Sequence, residues 1–110
     1  MTQIPNEYEP FRVEVHPERD TARVAPVGEL DLASVAGLDQ RLSELYDTGF
    51  RKLVVDLRRV TFLDSSGLAL IIRWDEYARH NGVELSLIQG PRAVQQIFVL
   101  TGALDRLPFR

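Results

Sequence analysis

The four residues Asp64-Ser65-Ser66-Gly67 place two hydroxyl groups and a carboxylate where a strand gives way to a helix. The apolar, β-branched run at residues 52–57 predicts a buried strand before them, and residues 68–74 predict a helix after them. The free backbone N–H groups and the dipole of a helix N-terminus favour an anion, so this is a suitable place to hold a phosphate. An N-cap followed by a turn, with Ser66 as the cap, is the alternative interpretation.

Nucleophilic catalysis by these serines would need a base, and the chain offers only His16 and His80. His80 lies fourteen residues along the predicted helix from Ser66, which is about 20 Å. His16 ends the first predicted strand, at the far edge of the sheet. The sequence also lacks cysteine, a Gly-x-Ser-x-Gly elbow, a Gly-rich phosphate loop and metal-ligand spacing. We therefore expect no catalytic residue, no metal and no cofactor.

A phosphoacceptor domain of the response-regulator type is a nearer alternative among small α/β folds. The chain lacks the acidic pair that such a domain carries after its first strand. Asp56 lies within the central predicted strand, and we expect it to be a strand-end or buried, hydrogen-bonded carboxylate. A non-enzymatic binding role is therefore favoured.

Alternating apolar and polar residues predict an N-terminal hairpin. Residues 11–15 alternate as a strand with one wet face, residues 16–20 predict a turn, and residues 21–27 predict the antiparallel partner. Pro26 argues against full pairing of that second strand, so we expect the pairing to weaken near it.

Helical and strand periods then alternate along the chain. Ser34 is a suitable N-cap for a helix with apolar positions at steps of three and four, and Gly49 fits its end. The helix after Gly67 should stop at Asn81-Gly82, residues 83–87 predict a strand, and a last helix opens near Pro91 and closes at Gly102. Such alternation implies right-handed crossovers and a largely parallel sheet after the hairpin.

The turns that follow parallel strands gather at one edge of a sheet, where ligands usually bind. Residues 28–31 and 60–66 both follow predicted strands, so we expect Glu29, Asp31, Asp64 and Ser65 to share one rim. The alternative for Glu29 and Asp31 is ordinary acidic charge near the start of a helix, favoured by its dipole.

At 100° per residue, the helix after Gly67 divides into two faces. The predicted core face consists of Gly67, Leu70, Ile71, Trp74, Tyr77 and Ala78. Leu68, Ala69 and Ile72 then point outward beside the serines and predict a docking patch for a partner. The alternative is that another element of the fold covers these three residues.

Composition bounds the architecture and the partners. At 110 residues and 45% hydrophobic, the chain can bury one core, which predicts one domain at residues 11–110. Pro5 and Pro10 predict a loose arm at residues 1–10. The net charge of −3 argues against nucleic acid as a direct partner. No leader and no apolar run of about 18 to 20 residues is found, so we expect a cytoplasmic protein with no membrane association.

The charge is unevenly divided between the two halves of the chain. Residues 1–50 carry 10 acidic and 4 basic side chains, and residues 51–110 carry 6 and 9. A partner with a basic patch that faces the acidic half is the functional interpretation, and solvated surface is the alternative.

Three stretches of sequence carry a family resemblance. Residues 62–68, after the Val-Val-Asp-Leu strand, resemble the signature of the STAS-domain family, specifically the bacterial anti-sigma factor antagonists. Residues 27–31 resemble the family's turn after its second strand, and residues 91–102 resemble its last helix and helix stop. The likeness runs from about Phe11 to Leu107. It implies a small single α/β domain of STAS type, with a mixed, largely parallel sheet, an N-terminal hairpin and helices from the crossovers.

The resemblance also implies a partner-switching cycle. The unphosphorylated domain would bind an anti-sigma factor that is also a serine kinase, and thereby free a sigma factor. Phosphorylation on the first serine, here Ser65, would end the binding, and a serine phosphatase would reset the cycle. Asp64, Ser66 and Gly67 would support the phosphosite, while the rim and the patch, Glu29, Asp31, Leu68, Ala69 and Ile72, would bind the partner. The alternative is a non-switching STAS scaffold module of a larger signalling or transport assembly, with the serines as simple caps.

Overall fold

A five-stranded mixed sheet carries three helices in the computed structural model, which describes residues 10–110. The predicted arm therefore lies outside the described residues, apart from Pro10. The strands are β1 (Arg12–Glu18), β2 (Thr21–Leu30), β3 (Lys52–Asp56), β4 (Val60–Leu63) and β5 (Glu84–Ile88). The helices are α1 (Val35–Asp47), α2 (Ser65–His80) and α3 (Arg92–Leu100). No helix in the described part of the chain is both long enough and apolar enough to cross a membrane.

The sheet has the predicted topology. β1 and β2 form the antiparallel hairpin, and the order β1-β2-β3-β5 continues with parallel pairs. The hairpin turn is shorter than predicted, because β1 continues through Pro17 and only Arg19 and Asp20 form the turn. Pro17 is tolerated there because β1 lies at the edge of the sheet, where one side of the strand needs no partner.

Pro26 interrupts the pairing of β2 on one side only. The ladder with β1 continues across it, with Val13 opposite Pro26, whereas the ladder with β3 ends at Val24 and Val55. Beyond that point β2 acquires a different neighbour, β4, in a parallel pair that includes Leu30 opposite Leu63. The weakening predicted at Pro26 is therefore a change of partner.

The strand β4 was not predicted from the sequence, which placed residues 60–66 in a turn. Val60-Thr61-Phe62-Leu63 is too short for a period to show, and both of its end residues are buried while the middle two are exposed. The register with β2 shifts between Gly28 and Glu29, and Gly28 adopts a φ of 108°, which favours glycine.

The core lies between the helices and one face of the sheet. It is built mainly from leucine and valine of the strands together with Leu38 and Leu42 of α1, Leu70 of α2 and Phe98 of α3. On the other face of the sheet, Asp56 is 3% exposed. It accepts hydrogen bonds from Arg58 Nη2 at 2.8 Å and from Arg23 Nη1 at 3.0 Å, which confirms the prediction of a buried, bonded carboxylate. The hydrogen bond from Arg58 lowers the pKa of Asp56 below its usual value, against the opposing effect of burial.

Two residues of α2 depart from the predicted phase. The predicted core residue Tyr77 is 40% exposed, whereas the unpredicted Asp75 is only 5% exposed. Tyr77 stands at the edge of a groove between α1 and α2, packed edge-on against Tyr46 and Trp74. Asp75 is buried as an ion pair with Arg79, one turn further along the helix, so its charge is compensated.

Candidate functional site

The N-terminus of α2 is capped by Asp64, not by Ser66 as the sequence suggested. Asp64 is extended, and its Oδ1 accepts hydrogen bonds from Ser66 N at 2.9 Å and from Gly67 N at 3.1 Å. A carboxylate at this position satisfies two otherwise unpaired N–H groups and complements the helix dipole. The capping task is thus done by a residue other than either serine.

Ser65 is the first residue of α2 and is exposed. Within the described residues neither serine hydroxyl makes a hydrogen bond, but Ser66 is half-buried and contributes its backbone N–H to the cap. The two hydroxyls of the motif therefore differ in their exposure. The Ser65 hydroxyl can be approached by a second protein without disturbing the helix start.

Gly67 brings α2 close to the sheet. A Cβ at this position would lie 2.4 Å from Leu63 Cδ1 and 2.8 Å from the backbone oxygen of Leu30, both far inside van der Waals contact. Glycine is thus required here by close approach, and that approach sets the distance from the serines to β2 and β4.

Ser34 occupies the predicted N-cap position of α1, but its side chain makes no capping hydrogen bond and instead holds the loop from β2 to α1. Ser34 Oγ donates to the backbone oxygen of Glu29 at 2.6 Å and accepts from Asp31 N at 2.9 Å. Asp31 Oδ1 in turn accepts from Ala33 N at 3.0 Å. These bonds fold the loop back on itself, so that Glu29 is exposed and Asp31 is half-exposed at fixed positions.

This loop and the serine motif lie side by side, as the crossover rule predicts. Glu29 pairs with Phe62 in the register of β2 and β4, and Asp64 N donates to Leu30 O at 3.3 Å. The carboxylates of Glu29 and Asp31 thus share an edge of the sheet with Ser65. Asp64 is at the same edge, but one of its carboxylate oxygens already serves the cap.

The predicted patch of Leu68, Ala69 and Ile72 is only partly open. Ala69 is exposed and Ile72 is 36% exposed, but Leu68 is half-buried and packs against the core. Leu68 and Ile72 border a shallow groove of about 120 Å³, whose other side is formed by residues 101–107 after α3. The alternative interpretation, that another element of the fold covers the patch, is therefore correct for Leu68.

Two exposed apolar residues at this edge were not predicted. Leu32 is 78% exposed in the β2–α1 loop, and Phe62 is 48% exposed on β4, directly before the motif. Phe62 belongs to the stretch that carries the family resemblance. Its exposure could have been predicted only if β4 had been recognised as a strand. We call Leu32, Phe62, Ala69 and Ile72, with the acidic Glu29 and Asp31, the Ser65 surface.

Comparison with known proteins gives matches over nearly the whole chain. The family model described as "Mlab, STAS domain" matches residues 13–108. Over 78 residues the chain is 31% identical to an anti-sigma-B factor antagonist of Staphylococcus aureus. These residues make up 71% of this chain and 72% of that protein.

Solved structures show the same fold at lower identity. An anti-sigma factor antagonist from Mycobacterium paratuberculosis matches with a TM-score of 0.76 at 21% identity, over 91% of this chain and 85% of that one. The unphosphorylated anti-sigma factor antagonist SpoIIAA matches with a TM-score of 0.73 at 22% identity, over 92% of this chain and 86% of that one. The phosphorylated Bacillus SpoIIAA matches with a TM-score of 0.68 at 20% identity, over 92% of this chain and 89% of that one. By its family model, its relative in S. aureus and its fold, the chain belongs to the STAS-domain family of the anti-sigma factor antagonists.

Proposed function

We propose that this chain is an anti-sigma factor antagonist whose binding is switched off by phosphorylation of Ser65. The observation that carries the proposal is the division of tasks within the motif. Asp64 caps α2, so Ser65 is exposed and its hydroxyl has no structural task. The names of the relatives support the antagonist role, and SpoIIAA, which shares the fold, is known in phosphorylated and unphosphorylated forms.

The charge of a phosphate explains how one modification changes affinity without refolding the domain. A phosphoserine adds roughly −1.5 to −2 charges at neutral pH. In the free domain that charge meets water and the positive end of the α2 dipole, which tolerate it. In a complex it would be desolvated beside Glu29 and Asp31, and the repulsion would weaken binding.

The Ser65 surface also defines the partner's chemistry. Its exposed apolar side chains, Leu32, Phe62 and Ile72, suit an apolar recess, and its two carboxylates suit basic residues around that recess. The proposed partner is an anti-sigma factor with serine kinase activity. The antagonist displaces the sigma factor from it in the cytoplasm, and a serine phosphatase restores the unphosphorylated form. No catalytic residue of this chain takes part.

A non-switching scaffold module is the second candidate. It would use the same sheet edge for assembly, with the two serines as structural residues only. The exposure of the Ser65 hydroxyl favours the switch, because a kinase can reach it and the helix start is already capped by Asp64.

Incubation with its cognate kinase and Mg-ATP is expected to add one phosphate to the chain, on Ser65. The Ser65→Ala variant should remain unmodified and retain partner binding. The Ser65→Asp variant should bind more weakly, although one carboxylate imitates a phosphate only in part. Intact-mass and peptide mass spectrometry locate the phosphate, and calorimetry gives the affinities.

Ser66→Ala is the matched control for this experiment, and it should still be phosphorylated, since the cap is made by Asp64. Phosphate found solely on Ser66, or on Ser43 or Ser86, would overturn the assignment. Partner binding that is equally strong with and without phosphate on Ser65 would favour the scaffold.

Ile72→Glu is expected to weaken partner binding with little effect on stability, because an exposed substitution usually changes the free energy of unfolding by about 0.5 kcal/mol or less. A buried carboxylate in the complex should raise Kd at least about tenfold. Calorimetric affinity and the thermal midpoint of the free domain, measured on the same samples, give both quantities.

Val99→Glu makes the same kind of change at an exposed position of α3 outside the Ser65 surface, and it should leave the affinity unaltered. An Ile72→Glu variant that unfolds would show that Ile72 belongs to the core. An Ile72→Glu variant that binds normally would remove α2 from the proposed interface.

A further inference from the structure

A groove of about 600 Å³ runs between α1, from Asp39 to its C-terminal end, and the C-terminal half of α2, and it is open to solvent. Tyr77 in its wall lies twelve residues along α2 from Ser65, about 18 Å, whereas its near end at Arg73 adjoins Ile72 of the Ser65 surface. The α1 side supplies Asp39 and Asp47, and the α2 side supplies Trp74 and Glu76.

Aromatic rings form part of the groove wall. Tyr77 stands edge-on to Trp74, with ring centroids 5.2 Å apart, and edge-on to Tyr46, with centroids 5.3 Å apart. The guanidinium carbon of Arg51 lies 3.9 Å from the centroid of Tyr46, so this cluster already attracts one guanidinium of the protein itself. Tyr77 is 40% exposed and is the ring of this cluster most open to a cation from outside.

The hydrogen-bonding groups of the groove are unbalanced. Trp74 Nε1 donates to Asp39 Oδ1 at 2.8 Å and Asn81 Nδ2 donates to Tyr77 O at 2.8 Å, whereas the Arg73 guanidinium makes no hydrogen bond within the described residues. His80 Nδ1 likewise lies 2.7 Å from the backbone oxygen of Glu76, to which it must donate. Both carboxylate oxygens of Asp47 and of Glu76 also accept no hydrogen bond within the described residues, so this part of the groove complements a ligand with N–H donors.

The charge of the groove points the same way. Within the described residues, the carboxylates of Asp47 and Glu76 form no ion pair, and Arg73 is the only lining residue with a permanent positive charge. The pKa of the Tyr77 hydroxyl is raised, first by its hydrogen bond with Tyr46 and then by burial, and more weakly by the negative charge of Asp47, which the charge of Arg51 opposes. Three carboxylates, Asp39, Asp47 and Glu76, therefore stand against Arg73 in the groove lining and Arg51 beside Tyr46, which leaves a net negative charge.

We propose that this groove is a second docking site, which takes a basic segment of a partner protein with an arginine or lysine side chain against Tyr77. A free small cation fits less well, because sites for small ligands enclose most of the ligand surface and this groove is open. From Asp39 to Asp47 the groove extends eight residues along α1, about 12 Å, which suits several residues of an extended chain. Docking here leaves Ser65 accessible to a kinase or a phosphatase.

The fluorescence of Trp74 gives a direct test, since it is the only tryptophan of the chain and lies in the groove wall. Titration of the full chain with an acetylated, amidated hexa-arginine peptide at low salt should give a saturable change in emission. A hexa-glutamate peptide should give none. Free arginine at the same guanidinium concentration should fall far short of saturation.

Charge reversal of the groove should weaken the peptide. In the double variant Asp47→Lys and Glu76→Lys, we expect Kd for hexa-arginine to rise about tenfold or more, as two ion pairs are replaced by two repulsions. The matched control is Glu44→Lys with Glu84→Lys, which makes the same change of net charge at exposed positions outside the groove. Its Kd should stay within about twofold, and circular dichroism should show both double variants folded.

Three outcomes would overturn the proposal. An equal loss of affinity in both double variants would mean that net charge alone attracts the peptide. Free arginine that saturates with the affinity of the peptide would make the site one for a small cation. No saturable change in emission at any peptide concentration would leave the groove without a basic ligand.

Discussion

The variant Trp74→Ala is expected to be less stable than the natural chain by about 3–5 kcal/mol in free energy of unfolding, the usual cost of truncating a buried aromatic residue. Trp74 is 8% exposed and belongs to the core between the helices and the sheet. Its indole N–H also donates to the carboxylate of Asp39 at 2.8 Å, and the loss of that bond adds about 1–3 kcal/mol. Urea denaturation followed by far-UV circular dichroism measures the change.

Two variants separate the contributions to this loss. Trp74→Phe keeps a ring in the core and should cost clearly less than Trp74→Ala. The sequence also predicted Tyr77 on the core face of α2, but this residue is 40% exposed. Tyr77→Ala should therefore lower the free energy of unfolding by less than Trp74→Ala does. Equal losses for Trp74→Ala and Tyr77→Ala would contradict the packing described for α2.

The variant Gly67→Ala is expected to lose about 1–3 kcal/mol of stability, the range for an added methyl group in a full site. The new Cβ would meet Leu63 Cδ1 at 2.4 Å and the backbone oxygen of Leu30 at 2.8 Å. The leucine side chain can rotate away, but the backbone oxygen is held in the sheet and also accepts from Asp64 N. The start of α2 must therefore shift, and denaturant unfolding should show the cost.

Gly37→Ala is the matched control, since it adds the same methyl group to a helix. Gly37 is exposed on α1, and its added Cβ would lie 3.5 Å from the ring of Phe11, an ordinary contact. There the better helix propensity of alanine should stabilise the domain by up to about 1 kcal/mol. A Gly67→Ala variant as stable as Gly37→Ala would show that α2 does not depend on this close approach.

Much of this fold is predictable from periodicity, because each long element buries one face. Strands β1, β2, β3 and β5 and all three helices follow from apolar spacing, and the positions of Gly49 and Gly102 mark helix ends through positive φ angles. The meeting of the β2–α1 loop with the serine motif follows from the handedness of parallel crossovers.

The features missed by sequence reasoning depend on tertiary context. β4 has only four residues, and buried and exposed side chains do not alternate regularly along it, so its pairing with β2 is visible only in the folded chain. The burial of Asp75 depends on its ion pair with Arg79, and the exposure of Tyr77 depends on how far α1 stands from α2. The choice of Asp64 over Ser66 as the cap depends on the extended backbone of Asp64, which hydrophobic pattern does not encode.

Between Val24 and Gly28, β2 exchanges β3 for β4, so a single strand belongs both to the centre of the sheet and to the edge that carries Ser65. Any opening that detaches this edge must unpair the end of a strand whose other half holds the domain together. Segments of this kind open at a free-energy cost close to that of global unfolding, whereas loops anchored only at their ends open far more easily. The surface around Ser65 is thus expected to remain formed whenever the domain is folded, and a modification there acts through its own charge without redistributing open and closed forms.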